Sequence, residues 1–238
     1  MNLYLLEVFG KWINFMVISS FVVLGFLPIE EISIEIPNEN VYKSFQVAYD
    51  IQPYETEKVY NNSIPQGNEI VKSAGQEEVT VIFGDRSALL QEGKNEIIYV
   101  GTGAKGTYYG NLTGYGADCR GCNGKGNLKC WSAGHNLVED GKYYNDELFG
   151  KVRIVAAPPQ TLANGRSFSC GTIVEISFED NKFLAIVLDR GGKLTSDFNR
   201  GIILFDLAFV SEEEELSEIY SITRQDGSVR YEVKRWGF

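Results

Sequence analysis

Two short segments decide the fold and the site that we expect: Ala185–Gly192, AIVLDRGG, and Leu204–Phe209, LFDLAF. Each is an apolar run of strand length that carries one aspartate, Asp189 at the end of the first run and Asp206 inside the second. An ionised carboxylate beside so many apolar side chains is costly unless it is paired or hydrogen-bonded. Asp189 alone is also compatible with a structural cap for the glycine turn that follows it. Two such aspartates on neighbouring strands predict a carboxylate site with shifted pKa values.

The surrounding C-terminal half has the same pattern of short apolar runs. Further runs of strand length are Val152–Ala156 and Thr172–Ile176, and glycines such as Gly171 and Gly201 separate the runs. Short strands without intervening helices predict a closed or sandwich-like β architecture. The charge run at residues 212–215 is typical of a solvated loop or the start of a helix.

The preceding segment, residues 43–103, also has the pattern of strands. Val47, Tyr49 and Ile51 alternate with polar residues, as does the stretch Val79–Phe83, and Ile97–Val100 is a short apolar run. Turn signals lie between these segments, and the 3.6-residue helical period is absent. We therefore expect a small all-β module here.

The N-terminal segment differs from the rest of the chain. Trp12–Leu27 is uncharged and almost wholly apolar, with Lys11 before it and Glu30 and Glu31 after it. At ~1.5 Å per helical residue it would span roughly 24 Å, slightly less than a bilayer core of about 30 Å. We interpret residues 1–28 as an uncleaved signal anchor whose flanking charges place the C-terminal part outside. A cleaved signal peptide and a buried core helix are the alternatives.

Charge and composition exclude one class of partner. The chain has 238 residues, with 32 acidic and 22 basic side chains and a net charge of -10. Such a surface repels a phosphate backbone, so nucleic acid is not an expected partner. Residues 29–42, rich in Glu, Ile, Pro and Asn, are interpreted as an exposed spacer.

The all-β module resembles the G-five domain, a small module of cell-wall proteins. The resemblance rests on Tyr54-Glu55-Thr56, on the turn Ile64-Pro65-Gln66-Gly67, on Gly75, and on the Val-Thr-Val strand at residues 79–81. It covers residues 43–103 and implies either adhesion to cell-wall sugars or a spacing role.

Residues 104–238 resemble the three-aspartate (3D) domain, a double-psi β-barrel that also occurs in MltA-type lytic transglycosylases, and the combination with a G-five module is found in Gram-positive bacteria. The motifs that carry the resemblance are Thr113–Cys122 (TGYGADCRGC), Arg153–Ala157 (RIVAA), Ser169–Ile173 (SCGTI), Val187–Gly192 (VLDRGG), Phe205-Asp206-Leu207 and Val233–Phe238 (VKRWGF). The fold class expected for the whole chain is therefore mainly β: a transmembrane helix, a small all-β module and a double-psi β-barrel.

Two features depart from the family pattern. The first family aspartate should follow the Val155-Ala156-Ala157 strand, where this chain has Pro158-Pro159 and a longer loop to Cys170. The spacing between Asp189 and Asp206 also exceeds the pattern by several residues. Loss of one carboxylate would weaken or abolish activity, so a catalytically inactive wall-binding or structural protein is the alternative function.

The activity that the resemblance implies is lytic cleavage of the β-1,4 bond of peptidoglycan. Asp206 is assigned as the acid/base, Asp189 as its partner and Asp118 as a third candidate. The predicted substrate-binding residues are Tyr115, Trp131, Arg190, Gly191 and Gly192; the aromatic side chains among them would either line a sugar groove or belong to the core. Glycan strands and, through the N-terminal helix, the membrane are the expected partners. The protein is expected to be extracytoplasmic and anchored at the cell wall, or secreted if the segment is cleaved.

The four cysteines are Cys119, Cys122, Cys130 and Cys170. An even number in an exported domain favours disulfides, and four cysteines allow three connectivities. We name Cys119–Cys122 and Cys130–Cys170 as candidate pairs. The alternative is a four-cysteine zinc site, since the first pair has metal-ligand spacing. No other cofactor is expected.

Overall fold

A computed structural model describes residues 47–238. The predicted anchor (1–28), the spacer (29–42) and the first residues of the predicted module (43–46) lie outside the described residues. In the described part of the chain, no helix has the length and the apolar character needed to cross a membrane.

The described residues are mainly β, as predicted. The strands are β1 Val47–Gln52, β2 Thr56–Pro65, β3 Glu69–Ser73, β4 Glu78–Phe83, β5 Arg86–Gln91, β6 Glu96–Gly103, β7 Thr107–Gly116, β8 Tyr143–Asp146, β9 Gly150–Ala156, β10 Ile173–Phe178, β11 Asn181–Asp189, β12 Leu204–Phe209 and β13 Arg224–Arg235. The helices are α1 Leu137–Asp140, α2 Gly192–Asn199 and α3 Leu216–Ile222, and a 3₁₀ turn covers Trp131–Ala133.

One compact unit comprises, of the described residues, 47–55 and 75–95. Its strands form an antiparallel sheet in the order β1-β4-β5. The alternation of Val47, Tyr49 and Ile51 that predicted β1 is matched in β4, because Tyr49 lies opposite Val81 and Ile51 lies opposite Val79. Val81 is the buried residue of this sheet.

The second compact unit comprises residues 56–74 and 96–238 and contains a closed six-stranded β-barrel. Its strands follow one another in the order β11-β10-β13-β7-β12-β9, and parallel pairing of β9 with β11 closes the ring. A second parallel pair joins β7 and β12. β8 extends the sheet beyond β9, and a separate sheet has the order β2-β6-β3. The packing units therefore divide the chain differently from the predicted modules 43–103 and 104–238.

The barrel interior is filled by alternate residues of its strands. On β9, Val155 belongs to the interior cluster, whereas Ile154 and Ala156 belong to clusters on the outer face. The interior cluster also contains several aromatic side chains, and Phe205 and Tyr231 are fully buried in it. A strand whose residues are buried on both faces reads as a continuous apolar run. This explains why β9, β11 and β12 were predicted from such runs.

Helices lie between some of the strands, contrary to the sequence-based expectation. The helix α2 connects β11 to β12 and buries Leu194 and Asp197, and α3 precedes β13 and buries Ile219. These helices are too short to show the 3.6-residue periodicity that identifies a helix in a sequence. The charge run at residues 212–215, predicted to be a loop or the start of a helix, forms a turn that leads into α3.

The two candidate disulfides are both present. Cys119 pairs with Cys122, and Cys130 pairs with Cys170, with Cα–Cα distances of 5.1 and 5.8 Å. A sulfur in a disulfide has no thiolate to offer a metal ion. The pairs differ in reach, because the first closes a turn and the second joins residues 40 positions apart.

Candidate active site

Asp189 and Asp206 lie on either side of the same residue of β9. Antiparallel pairing aligns Asp206 of β12 with Ala156, and parallel pairing aligns Asp189 of β11 with Ala156 as well. Neighbouring strands are about 4.8 Å apart, so the two aspartate Cα atoms are separated by roughly 10 Å across the sheet. Residues aligned in this way point to the same face. Ala156 belongs to an outer-face cluster with Leu204, so the predicted pair lies outside the barrel interior.

A β-bulge brings Asp189 to that face. Ala185 and Val187 point into the barrel interior, so strict alternation along β11 would send Asp189 inward too. The register with β9 shifts between Val187 and Asp189, and the extra residue, Leu188, packs in an outer cluster. A bulge of one residue re-aims the side chain that follows it. The carboxylate therefore avoids the apolar interior.

Asp206 is a half-buried carboxyl with one hydrogen-bond donor. The Thr113 hydroxyl, from the register-matched position of β7, donates to Asp206 Oδ1 at 2.7 Å. Burial raises the pKa of Asp206 from 3.8 to about 6, against the opposing effects of the Thr113 hydrogen bond and the positive charge of Lys193. The negative charges of Glu212 and Asp189 add to the rise. This carboxyl can therefore both give and take a proton near neutral pH.

Asp189 has a different environment, in which both oxygens are held. It is 8% exposed. The Tyr115 hydroxyl donates to Oδ2 at 2.7 Å, and the Lys129 backbone N–H donates to Oδ1 at 2.9 Å. Burial raises the pKa of Tyr115 well above its ordinary value, and the charge of Asp189 adds to that rise. The predicted substrate-binding residue Tyr115 is thus a partner of the second carboxylate.

Asp118 is engaged elsewhere, in a turn. Its carboxylate accepts hydrogen bonds from the Ser211 hydroxyl at 2.7 Å and from the backbone N–H of Glu212. These hydrogen bonds lower the pKa of Asp118, which is exposed. Asp118 follows the end of β7, beyond Gly116, which is three positions past the Thr113 that contacts Asp206; this is about 10 Å of strand. Among the described residues, Asp118 shares no hydrogen-bond partner with Asp206 or Asp189.

Trp131 is exposed next to the segment that contacts Asp189. Trp131 is the first residue of the 3₁₀ turn and is 84% exposed. The preceding residue, Cys130, donates its backbone N–H to the Leu188 carbonyl at 3.0 Å. The indole is therefore presented to solvent two residues from the Lys129 amide that holds Asp189.

The remaining predicted residues shape the chain after Asp189. Arg190 donates from Nη1 to the Ala157 carbonyl at 3.0 Å, and burial lowers the pKa of this guanidinium. Gly191 is the N-cap of α2 and Gly192 is its first residue. A Cβ added at Gly192 would meet nothing within 4 Å. Arg190 thus ties the end of β11 to the end of β9, and Gly192 leaves open space there.

Several residues near the pair were not given a role by sequence reasoning. Thr113 lies in the TGYGADCRGC motif, and its spacing of two from Tyr115 on one strand places both on the same face. Lys193 and Glu212 act on Asp206 from the two sides of β12 in the sequence, and the Lys129 backbone N–H donates to Asp189. Nothing in the sequence pairs Lys129 with Asp189, which lies 60 positions away.

No protein-family model, curated protein or solved structure matches this chain. The resemblance to the G-five and 3D domains therefore stays a prediction from the sequence.

Proposed function

We propose that this protein cleaves the β-1,4 glycan bond of peptidoglycan by lytic chemistry, with Asp206 as the acid/base. The observation that carries the proposal is the environment of Asp206. It is a half-buried carboxyl whose pKa is raised to about 6, and it lies on the outer face of the barrel. A group with a pKa near the working pH is the one best suited to donate and then accept a proton.

The proposed reaction uses one carboxyl twice. Protonated Asp206 donates its proton to the glycosidic oxygen as the bond from that oxygen to C1 breaks. The resulting carboxylate then removes the proton from the 6-hydroxyl of the same sugar. The oxygen of that hydroxyl bonds to C1 and forms an anhydro ring. Because the nucleophile is intramolecular, no second catalytic carboxylate is required. This differs from ordinary glycosidases, which use two.

Asp189 fits the part of a positioning residue in this scheme. Its oxygens accept hydrogen bonds from Tyr115 and Lys129, which keep the carboxylate in place. The residue is 8% exposed. Its negative charge contributes to the raised pKa of Asp206. A neighbouring acid that disfavours ionisation of the donor is a recurrent way of keeping a catalytic acid protonated.

The architecture supports extending the resemblance to the whole C-terminal part. A closed six-stranded barrel with parallel pairs β7–β12 and β9–β11 is compatible with a double-psi β-barrel, which we propose as the finer fold. We also propose a G-five-like module before it, the signal anchor at residues 1–28 and a location outside the membrane at the cell wall. Two disulfides fit an oxidising, extracytoplasmic compartment.

A second candidate function is glycan binding without catalysis. Two observations favour it: Pro158-Pro159 stand where the family's first aspartate is expected, and both oxygens of Asp189 are already bonded to protein groups. Asp206 is then the one carboxyl of the pair that could exchange a proton with a substrate. If the protein does not cleave the glycan, the same surface would still bind it.

The test is incubation of the full-length protein with purified peptidoglycan, followed by mass spectrometry for anhydro-muropeptides. The full chain is used because Trp236 donates its backbone N–H to the Ser63 carbonyl at 2.7 Å, and Arg166 donates to the Asn62 carbonyl at 3.1 Å. Trimming to the barrel alone would remove these contacts. Anhydro products are expected. Reducing-end hydrolysis products would overturn the lytic mechanism, and cosedimentation without any product would favour the binding alternative.

A further inference from the structure

The segment Lys129–Trp131 lies across the end of β11. The Lys129 backbone N–H donates to the Asp189 carboxylate at 2.9 Å. The Cys130 backbone N–H donates to the Leu188 carbonyl at 3.0 Å. The Cys130 sulfur also lies 3.8 Å from the Val187 carbonyl oxygen. Three consecutive residues of β11 are thus contacted by two residues of this segment.

The partner half-cystine is held against the same strand. Gly171, which follows Cys170, donates its backbone N–H to the Val187 carbonyl at 2.9 Å. The Gly171 carbonyl in turn accepts a hydrogen bond from Arg235 at 2.9 Å. Arg235 is buried and forms a bidentate ion pair with Asp146. The Cys170 end of the disulfide is therefore attached to the barrel independently of Cys130.

The chain before Cys130 has few regular contacts of its own. Between the end of β7 and the start of the 3₁₀ turn, residues 117–130 form isolated bridges but no strand or helix. Lys129 and Trp131 are exposed, whereas Cys130 is 3% exposed. A covalent tie at the buried residue is thus well placed to hold the exposed residues on either side of it.

We propose that the Cys130–Cys170 disulfide is a positioning device for the site, and that Trp131 is a stacking surface for a pyranose ring of the glycan. The disulfide holds the Lys129 amide on Asp189 and holds the Trp131 indole in solvent beside it. An aromatic face provides a large, rigid, apolar contact for a sugar ring at little cost in conformational entropy. This inference rests on the proposed function, whose glycan substrate it places next to Asp189.

The second disulfide provides a matched control. Cys119 and Cys122 close a turn of three positions, and Cys122 is exposed. Neither sulfur of this pair contacts β11 among the hydrogen bonds of the described residues. Opening it removes a disulfide from the same domain without releasing the Lys129–Trp131 segment.

The experiment compares full-length Cys130→Ser/Cys170→Ser with full-length Cys119→Ser/Cys122→Ser. Binding of a soluble β-1,4-linked N-acetylglucosamine oligomer is followed by calorimetry, which needs no turnover, and KM and kcat are measured on peptidoglycan. We expect the first variant to bind at least about tenfold more weakly with its circular dichroism unchanged, and the second to bind as the wild type does. Equal binding by a folded Cys130→Ser/Cys170→Ser protein overturns the proposal.

A second variant covers failure of the first to fold. Trp131→Ala removes a side chain that is 84% exposed, so the fold is expected to survive. It should weaken oligomer binding about tenfold and raise KM with little change in kcat, and Trp131→Phe should restore much of the binding. Unchanged binding by Trp131→Ala, or a wild type that does not bind the oligomer, overturns the proposal. A wild type that binds through Trp131 but forms no anhydro product instead defeats the proposed reaction alone.

Discussion

The middle of β12 and the end of β11 each carry an aspartate within an apolar run, but the two carboxyl groups accept different hydrogen bonds. Asp206 on β12 receives one side-chain hydrogen bond, from Thr113, and burial raises its pKa to about 6. Asp189 on β11 receives two hydrogen bonds, one on each oxygen. Both are aligned with Ala156, so the difference does not arise from their place in the sheet.

The number of donors separates the two roles. A buried carboxyl that is short of donors favours its neutral form, because burial penalises the charge. A carboxylate whose oxygens are both satisfied is held in position and presents a fixed charge to its neighbours. We infer that Asp206 is the group that exchanges a proton and that Asp189 is part of its surroundings.

The largest expected effect is on turnover, from Asp206→Asn. The amide keeps the size and polarity of the side chain but cannot cycle a proton. General acid–base catalysis contributes about 10²–10⁴-fold, so anhydro product should fall by that factor while circular dichroism stays unchanged. The exposed Glu213→Gln serves as the charge-matched control and should keep full activity. Wild-type cleavage by Asp206→Asn would remove Asp206 from the acid/base role.

The next effect is on the pH dependence of stability. The folded pKa of Asp206 is about 6, against an ordinary value of 3.8, so the folded state binds more protons between these two pH values. The wild-type free energy of unfolding should therefore fall as the pH rises through this window. At about 1.4 kcal/mol per pKa unit, the contribution is about 3 kcal/mol.

The same argument gives Asp206→Asn a stability advantage at high pH. Relative to the wild type, the variant should gain up to about 3 kcal/mol between pH 4 and pH 8, because the asparagine never carries the buried charge. Urea unfolding of both proteins across this range measures the gain. A constant difference between the two proteins would show that Asp206 has no raised pKa.

The smallest effect is expected from Tyr115→Phe, which removes the hydrogen bond to Asp189 Oδ2 and keeps the ring. Hydrogen bonds to a charged group contribute about 1.5–3 kcal/mol, so stability should fall by an amount near the lower end, since Tyr115 is itself only half-buried. Turnover should fall far less than in Asp206→Asn. Equal losses of turnover in Tyr115→Phe and Asp206→Asn would contradict the separation of roles.

Thr113→Val is the matched change at Asp206. It removes the hydrogen bond that lowers the pKa of Asp206, so it should shift the pH optimum of turnover upward.

Much of the strand content could be predicted, but its arrangement could not. The apolar runs of β9, β11 and β12 and the alternation in β1 are local signals, and each of these strands is present. The barrel ring needs pairings between residues far apart, such as β7 with β12, which no local pattern specifies. The strand β13 was not predicted, although Val229, Tyr231 and Val233 alternate and are buried.

By itself the sequence determined that the described chain is mainly β, that Asp189 and Asp206 belong to apolar strands, and which cysteines are candidates to pair. These are consequences of periodicity, residue type and composition, which act over a few positions. Only the tertiary structure decided which face each aspartate occupies and which donors it meets. The bulge at Leu188 reverses the face that alternation assigns to Asp189, and the Lys129 amide reaches it from 60 positions away. A one-residue shift in register changes the face of every later side chain, so the site depends on pairing that the local sequence does not encode.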